Sequence, residues 1–466
     1  MAPRTFIRSF LFFLLLAGAG MFSSCSKKEF LDKKPSTDLV VPSTLDDFQA
    51  LLDYDQIMRE TPVLGELSAD NFYLNSSYWS GLGGREKYAY IWAATDSFYG
   101  GQTTADDWNL PYQQVFYANV VLEGLKGVTR NTGNQEEWDA LRGAALFIRA
   151  YAFYNVAQLF APVYDVTTAA ADPGIPLRLS SDVNTVSVRA TLQTTYDTIR
   201  ANLREASNLL PTTIPTLNLN RPSKPAALAL LARVSLSMRA YPDAGLYADN
   251  CLQLYHELMD YNSLSTASPF PFSKPPEEVM YMSRALTGST VLVGLINPNC
   301  LADSGLYQSY TAGDLRGSIF FSPSGPGQAT LKTGYSASVF HFSGLATDEV
   351  YLVRAECFAR AGDVANAMQD LNTLLQKRWV PANWAPFSAA TKDVALALIL
   401  SERRKELPYR GVRWTDLRRL NKEGGNIILK RVLNGQTYPL LPGAAQYILP
   451  IPPDVIALSG MKQNPR

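Results

Sequence analysis

Apolar residues recur along this chain at spacings of three and four in several separate blocks, the period of helices with one buried face. In "EEWDALRGAALFIRAYAFYNVAQLF", Trp138, Leu141, Ala145, Ile148, Ala152, Val156 and Leu159 form such a stripe. Ala144, Ala145, Ala150 and Ala152 keep that helix slim enough for close packing, and Pro162 ends it. A second block starts with Pro225 near a first-turn position, breaks around Tyr241 and Pro242, and resumes to Tyr255. In a third, Gly362 is placed to end one helix and Asp363 to cap the next.

The last two blocks align without gaps. Ala232 matches Ala355, Tyr241 matches Val364, Ala244 matches Ala367 and Cys251 matches Leu374. Small residues, a short turn, then an early alanine follow the tetratricopeptide (TPR) pattern, in which stacked helix pairs bury a core that one pair alone could not. The expected fold is mainly α: a TPR-like helical-repeat scaffold with pairs at about 108–160, 222–256 and 347–378. Residues 262–345 interrupt it as an insertion rich in Pro, Ser, Gly and Thr, with short β-like runs such as "STVLVGLI". Residues 61–104 are a comparable stretch rich in aromatics and glycine, where Tyr88, Tyr90 and Trp92 alternate as in a half-buried strand.

The amino terminus changes the picture. Arg4 and Arg8 precede a 13-residue apolar run, Phe10 to Phe22, too short for the roughly 20 residues of a spanning helix. Residues 1–24 therefore read as a secretory signal. Cys25 follows Ser23 and Ser24 as in a bacterial lipobox and is expected to carry acyl chains. The polar stretch 25–42 reads as anchor and tether, leaving 43–466 as a single domain. Cys251, Cys300 and Cys357 show no CxxC spacing and fit small buried side chains better than a disulfide.

Charge excludes one class of partner. Lys plus Arg and Asp plus Glu are balanced at 42 each, so nothing points to nucleic acid. With only His256 and His341, imidazole-dependent metal or triad chemistry is disfavoured. The acidic doublets at 46–47, 106–107, 136–137 and 277–278 do not by adjacency aim two carboxyls across one bond, as a glycosidase requires. No GxSxG, HExxH or P-loop context occurs. An enzyme is not expected, no cofactor is implied, and a structural calcium is left open.

Several motifs then combine. "CSKKEFLDKKP" at 25–35, "WNLPYQQVFYANVVLEGL" at 108–125, "GIPL" at 174–177, "ERRKELPYRGVRWTDLRRL" at 402–420 and "LPIPPDVI" near the end occur in one order. Together they resemble the SusD/RagB family. The resemblance implies an outer-membrane lipoprotein facing the cell surface, a TonB-dependent transporter as partner, and capture of oligosaccharides or, in some members, peptides. A peptide-binding or protein-interaction scaffold is the alternative, and a surface glycoside hydrolase a third reading.

Two features of the residues bear on these readings. The Glu402, Arg403, Arg404, Glu406 run and Arg413, Arg418, Arg419 are expected to form ion pairs or cap helix ends rather than to catalyse. Sugar C–H faces stack on flat aromatic rings while hydroxyls need amides. Tyr73, Tyr78 and Trp79, set among Asn71, Asn75, Ser76 and Ser77, are therefore candidate ligand contacts with Asn75, and Tyr307 and Tyr310 are further candidates.

Overall fold

The computed structural model describes residues 42–285, 289, 291–292 and 297–466. Cys25, the signal, nearly all of the tether and most of "STVLVGLI" lie outside the described residues. Thr44–Arg466 form one compact unit.

Ten helices carry most of the core: α1 (Leu45–Leu52), α2 (Asp106–Gly124), α3 (Gln135–Phe160), α4 (Leu192–Leu209), α5 (Lys224–Ser237), α6 (Tyr241–Leu254), α7 (Thr347–Ala361), α8 (Val364–Leu375), α9 (Lys392–Glu406) and α10 (Arg413–Lys422). From α2 to α8 each helix packs on the next in sequence, so each apolar stripe is covered by its neighbour's. Local chemistry sets the ends. Thr44 and Asp47 form a reciprocal capping box on α1. Ser223 caps α5 with Pro225 in its first turn.

The internal repeat is visible in three dimensions. α5 and α7 begin 123 residues apart, as do α6 and α8. The paired positions Ala232 and Ala355, Ala244 and Ala367, Cys251 and Leu374 are all fully buried. Between α7 and α8, Gly362 adopts a left-handed backbone (φ 87°), and the Asp363 side chain accepts from the Asn366 N–H. Between α5 and α6 the left-handed residue is Arg239 (φ 62°), so the first helix of that pair stops at Ser237, before Tyr241 rather than at it.

The insertion supplies most of one small sheet. Its strands are β1 (Phe72–Leu74), β2 (Cys300–Ala302), β3 (Phe321–Gly325) and β4 (Gln328–Leu331), in spatial order β1-β2-β4-β3 and antiparallel throughout. One expectation fails here. Residues 84–90 are helical rather than a strand, and Trp92 follows in a left-handed conformation (φ 55°). The alternation of Tyr88, Tyr90 and Trp92 is overridden by a tertiary anchor: the Arg431 guanidinium lies 4.3 Å from the Tyr90 ring centre and 5.2 Å from that of Trp92. It also donates to the carbonyls of Phe72 (2.9 Å) and Ala69. The cysteines Cys251, Cys300 and Cys357 are buried and free.

Candidate functional site

The sheet has two unlike faces. Paired residues on adjacent antiparallel strands point to the same side. Tyr73 pairs with Leu301, Leu301 with Thr330, and Thr330 with Ser322, and all four are half-buried. Their neighbours on the opposite face, Phe72, Leu74, Cys300, Ala302, Phe321 and Leu331, are buried in the core. The outer face is therefore an open strip with one phenol ring, one isobutyl group and two hydroxyls.

Amides and a second phenol rim it beside β1. Asn75 ends β1 and caps the short helix Ser76–Ser80 by accepting from the Tyr78 N–H at 2.8 Å. Its own amide donates to Asn299 Oδ1 at 2.9 Å. The Asn297 amide donates to the Tyr78 hydroxyl at 2.9 Å. Asn75 and Tyr78 thus meet Asn297 and Asn299 of the insertion, and Tyr73 lies on the adjoining strand. A face that offers a ring edge with fixed amide donors and acceptors can hold a polyhydroxylated ligand.

The other candidates lie elsewhere. Trp79 is buried, its indole N–H donates to the Lys87 carbonyl at 3.1 Å, and the Lys87 amine lies 5.0 Å from its ring centre. Tyr307 and Tyr310 pack on Phe321, whose side chain belongs to the inner face. The Tyr310 hydroxyl donates to the Lys405 carbonyl at 2.8 Å, and burial pushes its pKa well up. Leu301, Thr330, Ser322, Asn297 and Asn299 were not singled out from sequence. Strands of three to five residues give little periodicity; the available signal was composition, since residues 71–84 contain no charged side chain.

Beneath this face the arginine-rich motif forms a buried lattice. Arg316, fully buried, donates to Asp314 (2.7 Å), Glu402 (2.5 Å) and Glu406 (3.1 Å). Arg378, from the end of the last repeat pair, holds Glu406 at 2.7 Å and Glu278 at 2.8 Å. Arg403 bonds Asp416 at 2.8 Å, and Arg419 bonds Asp416 and Glu356 at 2.8 and 2.6 Å. Arg418 donates to the carbonyls of Gln158 and Ala161, closing the carboxyl end of α3. Arg413 grips Asp70 through two bonds of 2.7 and 2.9 Å. Burial raises the Asp70 pKa, but the Arg413 bonds and charge outweigh it and hold it down at about 2. These groups all have structural partners, as the motif's spacing led one to expect.

In three of the four acidic doublets one carboxylate has a structural partner, and Glu136 and Glu137 are exposed. Asp47 caps α1. Asp107 accepts from the N–H groups of Val63 and Leu64 at 2.7 and 2.9 Å, and Glu278 is tied to Arg378. Among the described residues, no three His, Cys, Asp or Glu side chains gather as a metal site, and no helix is long and apolar enough to cross a membrane. Clefts exist away from the sheet. One of about 630 Å³ is lined by Tyr112, Phe116, Val183, Val186 and Leu458, and another of about 590 Å³ lies between α6 and α7.

Comparison with known proteins follows the same lines. Residues 29–236 match a family described as starch-binding and associating with the outer membrane, and residues 347–466 match the SusD family. A SusD superfamily structure from Bacteroides thetaiotaomicron superposes with a TM-score of 0.73 at 20% identity, over 91% of this chain and all of that one. A SusD-like carbohydrate binding protein from Bacteroides vulgatus gives 0.67 at 18% identity, covering 90% and 96% of the two chains. SusD-like protein P25 of Formosa agariphila is 24% identical over 251 residues, half of this chain and 44% of that relative's length. Two family matches, over residues 29–236 and 347–466, on a shared fold, place this chain in the SusD/RagB family.

Proposed function

We propose that this chain is a non-enzymatic glycan-binding protein that captures oligosaccharides at the cell surface and delivers them to a TonB-dependent transporter. Tyr73 carries the reading: a half-buried phenol on an open sheet face, with the amides of Asn75 and Asn299 beside its strand. Tyr78 adds a second phenol at that rim. The family's association with starch binding and with the outer membrane supports the same reading. Two acyl chains on Cys25 would anchor the protein stably, at about 0.8 kcal/mol per buried CH₂.

A glycan screen with the full chain in detergent tests the binding step. Retention of an oligosaccharide, weakened by Tyr73→Ala, is expected; retention of peptides alone would overturn the reading. Fatty-acid labelling in cells should be lost in Cys25→Ala, and label that persists places the anchor elsewhere. Co-purification of a β-barrel transporter with the tagged chain is expected, and its failure under crosslinking would remove the delivery step.

The peptide-binding alternative rests on one observation. In the groove between α6 and α7, Leu246 is exposed and Phe358 half-buried beside Cys357, with Asp249, Arg354 and Arg360 on its walls, a mixed surface that a short peptide could occupy.

A further inference from the structure

The proposed glycan face differs from the rest of the molecule in its charge. The whole chain is 18% charged. Residues 71–84, which form β1 and the Tyr78 helix, carry no charged side chain. From 285 to 347, the span that supplies the other three strands, only Asp303, Asp314, Arg316 and Lys332 are charged.

Three of those four are buried, and the fourth, Asp303 at the end of β2, has its side chain 36% exposed but paired with Arg404. Asp314 and Arg316 are buried and paired with each other in the lattice. The Lys332 amine donates to the carbonyls of Thr266 (2.6 Å) and Ser318 (2.8 Å), and only 5% of the residue is exposed. Asp303 caps the helix Ser304–Gln308 and accepts from Arg404 at 3.0 Å. Arg404 itself is shared between Asp303 and Asp70. The outward-facing positions of the strands are phenol, hydroxyl or aliphatic, Asn75 adds an amide, and the Lys87 amine beside the Tyr78 helix is held by the Ser80 carbonyl at 2.9 Å.

Recognition of a sulfate or carboxylate draws on arginine forks or lysine charges aimed at the anion. A strip without them would leave such a group with neutral donors and the cost of its lost hydration. A neutral sugar has no such requirement: its C–H face lies on the ring, and its hydroxyls exchange bonds with amides. We infer that the ligand held on the Tyr73 face is an uncharged oligosaccharide, free of uronate and sulfate groups. The inference rests on the glycan reading above and sharpens it.

The full chain in detergent is titrated with neutral hexose and pentose oligosaccharides and with uronate-bearing and sulfated ones, at low and high ionic strength. A neutral oligosaccharide should bind with an affinity that does not move with salt, because no screened charge pair is involved. Tyr73→Ala should weaken it roughly three- to tenfold, the size of one lost ring contact. Tyr73→Phe keeps the ring and should retain binding, which guards against a folding defect. An acidic oligosaccharide that binds more tightly than its neutral counterpart, and weakens with salt, overturns the inference but leaves the glycan reading standing. Binding of neither class overturns both.

Discussion

Asn297 donates its side-chain amide to the Tyr78 hydroxyl at 2.9 Å, although 219 residues separate them. This bond and its neighbour from Asn75 to Asn299 tie the aromatic stretch before α2 to the insertion before α7. Tyr78→Phe removes the hydroxyl and keeps the ring. Loss of about 1 kcal/mol of binding free energy is expected, together with about 0.5–1.5 kcal/mol of folding stability from the lost Asn297 bond. Calorimetric titration of the bound oligosaccharide against the variant checks this, and an unchanged affinity would separate the rim from the ligand.

Arg378 is the more costly residue to touch. Its guanidinium lies fully buried between Glu406 and Glu278 and also donates to the Met259 carbonyl at 2.7 Å. Arg378→Met leaves two buried carboxylates short of a cation. A loss of about 3–5 kcal/mol in unfolding free energy is expected from urea denaturation. A loss below about 1 kcal/mol would show that the lattice reorganises around the gap.

Gly362 offers a smaller, local test. Its φ of 87° joins the two helices of the last repeat pair, and a methyl group added there would meet only open space. Gly362→Ala should therefore cost about 1 kcal/mol through backbone strain alone, read as a shift in the denaturation midpoint.

Glu66 makes stability depend on pH. Burial is the largest influence on its carboxyl and outweighs hydrogen bonds from Asn71 (2.6 Å) and the Gly411 N–H (3.1 Å), raising its pKa from 4.5 to about 7. A raised folded pKa means the folded state holds the proton more tightly than the unfolded one. The stability this contributes is complete below about pH 4.5 and is lost as pH rises through about 7. Relative to Glu66→Gln, which stays neutral, the native chain should lose about 3 kcal/mol across that window. Denaturation of both proteins at about pH 5 and about pH 8 measures the difference; a constant offset would show that Glu66 is ionised in the fold throughout.

Much of the scaffold was legible because its signals are local. Pro225, Gly362 and Asp363 act within one turn of where they stand, and the alanine and cysteine matches between the last two pairs mark buried positions. The role of the arginine motif was legible, but its partners were not. Arg316 reaches Glu402 across 86 residues, and nothing local in the sequence marks that approach. Tyr88, Tyr90 and Trp92 misled because alternation over five residues is weak evidence against a tertiary anchor such as Arg431. The candidate face was half visible. Tyr73, Asn75 and Tyr78 stood out by composition, whereas Leu301 and Thr330 acquire their positions only through strand register. Trp79 and Tyr310 have the same composition signal but are held by internal hydrogen bonds.

The lattice around Arg316 and Arg378 has a consequence for how such a protein can change over generations. It fastens the insertion to the helices from below, through groups that never reach the outer face of the sheet. Residues on that face can then be exchanged one at a time without unseating the segment that carries them. On the proposed reading, selection for a different ligand would act on Tyr73, Leu301, Thr330 and Ser322 while the chassis stays as it is.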